Sequence, residues 1–181
     1  MKKIIFLCII AALYYVEISA QRTSFSRGDV VLNLGAGLGS TWYSGTYYRT
    51  QIPPLSSSVE FGVADHVIEQ GSIGVGPYAG YSTFKFEKDE GGYDYKNILI
   101  GLRGSYHYYL VRNLDTYGSL FLGYNILISS EFGIPLGPPE TGRLRSALYI
   151  GGRYYIAEMF ALMTEVGYGI TYLNLGISVK F

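Results

Sequence analysis

Strict alternation of apolar with small or polar residues is the feature that most limits how this chain can fold, and it is cleanest over residues 173–181. Leu173, Leu175, Ile177, Val179 and Phe181 alternate with Asn174, Gly176, Ser178 and Lys180. A period of two puts every apolar side chain of this stretch on one face of a strand and the rest on the other. The row finishes with an aromatic side chain on the apolar face.

The same alternation marks eight segments, over residues 29–41, 55–65, 72–84, 95–110, 116–129, 143–155, 160–168 and 172–181. Breakers separate them: Pro53-Pro54, Glu90-Gly91-Gly92, Arg112-Asn113 and Gly137-Pro138-Pro139. Val30, Leu32, Leu34, Ala36 and Leu38 oppose Asn33, Gly35, Gly37 and Gly39 in the first segment. In the fourth, Ile98, Ile100 and Leu102 oppose Asn97, Gly101, Arg103, Ser105 and His107. In the fifth, Leu120, Leu122, Tyr124, Ile126 and Ile128 oppose Ser119, Gly123 and Asn125. Leu148 and Ile150 oppose Arg145, Gly151 and Arg153 in the sixth, and Leu162 and Val166 oppose Glu165 in the seventh.

Each segment reaches or exceeds the roughly nine to eleven residues that a tilted strand needs to cross a bilayer. Residues 21–181 contain no apolar run near the ~18 needed for a membrane helix, so a spanning fold would have to be a closed barrel. Alternation alone also suits a soluble, lipocalin-like barrel with its apolar face inward. The composition of the opposite face decides: it is rich in glycine, with a few long charged side chains. Such a face fills the narrow interior of an eight-stranded barrel, but makes a poor soluble exterior. The fold expected is therefore all-β, a closed antiparallel eight-stranded transmembrane β-barrel with meander topology, its apolar face toward lipid.

The amino terminus is consistent with export. Lys2 and Lys3 form a basic start, residues 4–16 an apolar core, and Ile18-Ser19-Ala20 a cleavage site before Gln21. Residues 1–20 are then a signal peptide and 21–181 the barrel domain. Cys8 lies in the removed part, so the mature chain offers no disulfide, thiolate nucleophile or thiolate metal site. Lys plus Arg equals Asp plus Glu at 14 each, which leaves no basic field for nucleic acid.

Periplasmic turns of such barrels are short and extracellular loops longer. That rule puts the loops outside at residues 42–54, 85–94, 130–142 and 169–171, and the turns inside near 66–71, 111–115 and 156–159. Trp42, Tyr43, Tyr81, Tyr95, Tyr168 and Tyr172 then form an outer aromatic girdle, and Tyr106, Tyr108, Tyr117, Tyr154, Phe160 and Phe181 an inner one.

The closing hairpin, residues 165–181, together with Gln21 after the cut, resembles the small OmpX-like eight-stranded outer-membrane barrels, particularly the version common in Bacteroidota. Leu173, Leu175, Ile177, Val179 and Phe181 are similar to the carboxy-terminal signal by which the barrel-assembly machinery recognises a closing strand. What the resemblance implies is a location in the outer membrane of a Gram-negative bacterium, with outer-membrane lipid and that machinery as partners. It implies little about role, since similar barrels serve in adhesion, serum resistance, envelope integrity and lipid modification.

Some barrels of this size are lipid-modifying enzymes that carry a catalytic His and Ser at the outer leaflet. Ser105 and His107 share a face here, but they lie late on a descending strand, toward the periplasm and into the lumen. A polar lumen pair is the better reading, with no enzyme and no cofactor. Glu60, Arg103, Arg145, Arg153, Glu165 and Lys180 all face inward, and buried charges persist only when paired. With a turn through Ala157-Glu158-Met159, Arg153 falls diagonal to Glu165 and is expected to bridge it. The acidic tip Glu87-Lys88-Asp89-Glu90 reads as solvated rather than as a cation site. The sequence thus points to a structural, envelope-integrity or surface-interaction protein, with a narrow channel for small solutes as the alternative.

Overall fold

The computed structural model describes residues 25–68, 70–88, 90–134 and 141–181. The expected signal peptide with its cleavage site, Gln21, Asp89 and the Gly137-Pro138-Pro139 breaker lie outside the described residues. Eight strands succeed one another: β1 (Val30–Leu38), β2 (Tyr48–Ala64), β3 (Ser72–Lys88), β4 (Gly91–Val111), β5 (Leu114–Gly133), β6 (Arg143–Tyr155), β7 (Phe160–Tyr168) and β8 (Leu173–Lys180). Each pairs antiparallel with the next, and β8 pairs with β1, so the sheet closes into a barrel in chain order. The expected fold class is the observed one.

The strands outrun their expected limits at one end. β2 to β5 are 17, 17, 21 and 20 residues long, whereas β1, β7 and β8 have 9, 9 and 8. Pro53-Pro54 therefore lies within β2 rather than between strands, and Gly91-Gly92 already belongs to β4. The reason is positional. The β1–β2 ladder stops at Ala36↔Leu55, so both prolines sit beyond it, at a register shift between Ile52 and Leu55. On an unpaired edge a missing N–H costs no ladder bond. Four long strands thus carry a sheet past the rim that the shorter strands set. At the other end the connections are short, as expected, and Asn113 closes the β4–β5 turn at a φ of 64°, a left-handed conformation that Asn tolerates.

Alternation sets the two faces. Leu102, Leu122 and Ile150 are 62, 63 and 70% exposed, and Leu34, Ile100, Leu120, Leu148, Leu162, Val166, Leu175 and Ile177 join them in one continuous apolar exterior. Tyr154, Phe160, Tyr168, Tyr172 and Phe181 are exposed near strand ends, where a girdle was expected. Tyr43, Tyr95 and Tyr117 are not part of it: all three are buried inside. Tyr95 and Tyr117 keep the parity of inward Asn97 and Ser119, and parity overrides the preference of tyrosine for a rim. Glycines on the inner face make room for larger neighbours. A Cβ on Gly151 would come within 2.9 Å of both the Glu165 side chain and the Tyr117 ring.

Candidate functional site

The lumen is filled in layers, beginning at the turn end. His107 on β4 stands between two carboxylates, with Nδ1 2.9 Å from Asp115 on β5 and Nε2 3.0 Å from Glu60 on β2. Arg153 on β6 reaches the same two acids: it bridges Glu60 and lies 3.3 Å from Asp115. The four side chains close a ring across the barrel. A neutral imidazole has a single N–H, so both carboxylates receive a hydrogen bond only from the imidazolium. In that form Glu60, Asp115 and Glu165 are matched by Arg103, Arg153 and His107.

Glu165 on β7 belongs to an adjoining cluster. It takes Arg103 of β4 as its ion-pair partner and accepts hydrogen bonds from Tyr117 Oη at 2.8 Å and Asn174 Nδ2 at 2.9 Å. The Tyr117 ring joins the two clusters, with the Arg153 and Arg103 guanidinium carbons 4.7 and 5.5 Å from its centre. The expected Arg153–Glu165 bridge is therefore incorrect. In the β6–β7 register Arg153 faces Met163, while across β5–β6 it faces Asp115 directly. Asp115 is thus the direct cross-strand neighbour, and a guanidinium on a long stem also reaches Glu60 of β2 across the narrow lumen, so these two acids outcompete the diagonal one.

Above this lies an apolar layer of Tyr78, Leu99, Phe121, Ala147, Tyr149 and Ile170, with Trp42 packed against it. A second aromatic layer, Tyr43, Phe84, Tyr93 and Tyr95, fills the mouth inside the long strands. Between them Asn97 Oδ1 accepts from Tyr43 Oη at 2.6 Å and from Asn125 Nδ2 at 2.8 Å. Trp42 and Tyr43 are aimed inward by Ser40, whose Oγ accepts from both backbone amides. The connection that carries them is tied to the β7–β8 turn through Thr41 Oγ1 and Gly169. Arg145 faces this upper region, 4.7 Å above the Trp42 ring, and is not joined to the charged ring below.

The turn end is covered by residues 25–29. The Ser26 amide donates to Asp29, the Arg27 amide to Asp65 at 2.7 Å, and Gly28 and Gly62 link the segment to β2. Asp29 also pairs with Lys180 of β8 at 2.8 Å. This strap buries Phe25 and stacks it on His107 with ring centres 4.1 Å apart. A cavity of about 470 Å³ opens beside it, lined by Phe25, Asp65, His66, Ser72, His107 and Asp115 among others.

Of the residues singled out from sequence, Glu60, Arg103, His107, Arg153 and Glu165 come together in the two clusters. Ser105 is buried on the same face of β4. No nucleophile–base pair results, because both ring nitrogens of His107 are engaged by carboxylates. Sequence reasoning missed Asp115, Tyr117 and Phe25. The first two share the inward parity of Ser119 and Asn125, which was signal enough. Phe25 precedes the first alternating segment, and no pattern marks it.

No protein-family model matches the chain, and no curated protein matches it in sequence. In fold it is similar to the outer membrane protein OprG from Pseudomonas aeruginosa, with a TM-score of 0.55 and 11% identity over 89% of this chain and 99% of that one. It is also similar to Ail, the attachment invasion locus protein of Yersinia pestis, with a TM-score of 0.49 and 12% identity over 86% of this chain and 99% of Ail. The N-terminal β-barrel domain of OprF from Pseudomonas aeruginosa gives 0.47 and 13% over 87% of this chain and all of that domain. At such identities the likeness to OprG is one of fold.

Proposed function

We propose that the chain is an integral outer-membrane barrel of a Gram-negative envelope, a non-conducting and non-enzymatic scaffold that holds the β2–β5 sheet and its connections outside the cell. The observation that carries this reading is the pairing of a continuous apolar exterior with a lumen closed by ion pairs and aromatic rings. An exposed apolar surface of this extent is at home only in lipid. Against catalysis stands His107, whose ring nitrogens are both committed to carboxylates.

Export directed by residues 1–20, and recognition of Leu173, Leu175, Ile177, Val179 and Phe181 by the barrel-assembly machinery, belong to the same proposal. So does kinship with the OmpX-like barrels of the Bacteroidota kind, which rests on the closing hairpin. The cavity beside Phe25 favours the alternative, a narrow conduit, at one end only; the Tyr78–Phe121 layer stands across the rest of the path. Expression in a Gram-negative host tests the main reading. The protein is expected in the outer-membrane fraction and resistant to alkaline carbonate extraction. Recovery in the soluble periplasmic fraction would refute it.

A further inference from the structure

Gly104 on β4 and Gly118 on β5 have no local reason to be glycine. Neither has a positive φ, and among the described residues nothing lies within 4 Å of where a Cβ would stand on either. Every other strand glycine among those residues has a neighbour inside that distance. Glycine weakens a strand and buries no side chain, so an open and unconstrained position is expected to carry a larger residue. Both glycines point outward, in the rows of exposed Leu102 and Leu120. The register sets Gly104 opposite Leu120 and Gly118 opposite Tyr106, so the two are diagonal neighbours and leave one hollow in the outer wall. It measures about 320 Å³ and is lined by Ile73, Tyr106, Leu120 and Leu148 among others.

The side chain best placed to fill the hollow is turned away from it. An aromatic ring opposite a glycine can lie across it and restore the lost packing. Tyr106 instead runs toward the turn end, where its hydroxyl donates to the Ile68 carbonyl at 2.9 Å. Gly71 makes room for it, since a Cβ there would overlap the Tyr106 hydroxyl and ring. The hollow is thus held open from the protein side.

We propose, building on an outer-membrane location, that this hollow seats one acyl chain of a phospholipid from the leaflet on the turn side. It is continuous with the apolar exterior, and the four side chains named around it bring no charge. Exposed Leu120 and Leu148 stand beside it and keep a second, rigid barrel off its floor, whereas a flexible methylene chain reaches it. Tyrosine near a strand end sits at the headgroup level, so the polar end of the lipid lies on the Tyr106 side.

The refolded barrel is inserted into phosphatidylethanolamine vesicles in which a small share of the lipid carries a diazirine on one acyl chain, and photo-adducts are mapped by mass spectrometry. Adducts at Ile73, Tyr106, Leu120 and Leu148 are expected several-fold above those at Leu34, Leu175 and Ile177, which are exposed on the β1–β8 wall. Gly118→Leu fills the hollow and should bring the two walls level. It should not lower the unfolding temperature, because the new side chain meets open space. Tyr106→Phe, released from Ile68 and free to cover Gly118, should lower the adducts as well. Even labelling of the two walls in the wild-type barrel would overturn the proposal, whether or not the variants fold. Dimers that Gly118→Leu disperses, read by energy transfer between labelled barrels, would also overturn it and make a second copy the occupant. A barrel that fails to insert, and so carries no adducts on either wall, would overturn the outer-membrane reading together with this site.

Discussion

Arg153 has no exposed surface, and a guanidinium there is tolerable because Glu60 and Asp115 both reach it. Truncation to Arg153→Met would strand two buried carboxylates, and a loss of about 3–5 kcal/mol is expected from urea unfolding of the refolded barrel. Glu165→Gln should act on a different partner. The expected coupling is between Glu165 and Arg103, so a double-mutant cycle of Glu165→Gln with Arg103→Met should depart clearly from additivity. The cycle of Glu165→Gln with Arg153→Met should lie closer to additive. The reverse order would restore the diagonal bridge that the strand alternation first suggested. Gly151 belongs to the same cluster from the backbone side: Gly151→Ala would press on the Glu165 stem and the Tyr117 ring at once, and a lower unfolding temperature is expected.

Strand identity was legible because lipid and lumen impose opposite demands on alternate residues, and that demand persists through every membrane-crossing segment. Arg103 inward and Leu102 outward follow from it directly. It stops being informative where the sheet leaves the apolar layer. Tyr48 to Pro54 of β2, and the last residues of β5, have no lipid on one side, so polar and apolar residues mix and the strands read as loops. Ion-pair partners were harder to read still: register gives Arg153 its neighbour Asp115, but the Arg153–Glu60 and Arg103–Glu165 pairs form across the lumen, where strand alternation says nothing. The extension makes its own prediction. The β5–β6 ladder ends at Asn125↔Arg143, yet β5 stays paired to β4 as far as Gly133. Beyond Asn125, every second backbone amide of β5 points away from β4. Hydrogen exchange over residues 126–133 should therefore alternate between slow and fast amides. Uniform protection there would mean that a further segment covers the edge.

Taken as one body, the barrel is sealed twice, at the turn end by the strap carrying Phe25 and higher up by the layer around Tyr78, Leu99 and Phe121. The two seals are independent, because the first is held by Asp29, Asp65 and Lys180 and the second by side chains of the barrel wall together with Ile170 of the β7–β8 connection and Trp42 of the β1–β2 connection. An eight-stranded interior is just wide enough for side chains to fill, and here the large rings fill it. Phe25→Ala separates the two. It removes the ring stacked on His107 and widens the cavity of about 470 Å³ that the imidazole already lines. The His107 ring protons should then exchange with solvent faster, as read by nuclear magnetic resonance of the refolded protein. The upper layer is untouched, so neither wild-type nor Phe25→Ala barrels should pass ions in planar bilayers. Steady single-channel currents through the wild type would refute the sealed lumen and favour the conduit. Currents in Phe25→Ala alone would show that the strap is the only barrier and that the aromatic layer yields to ions.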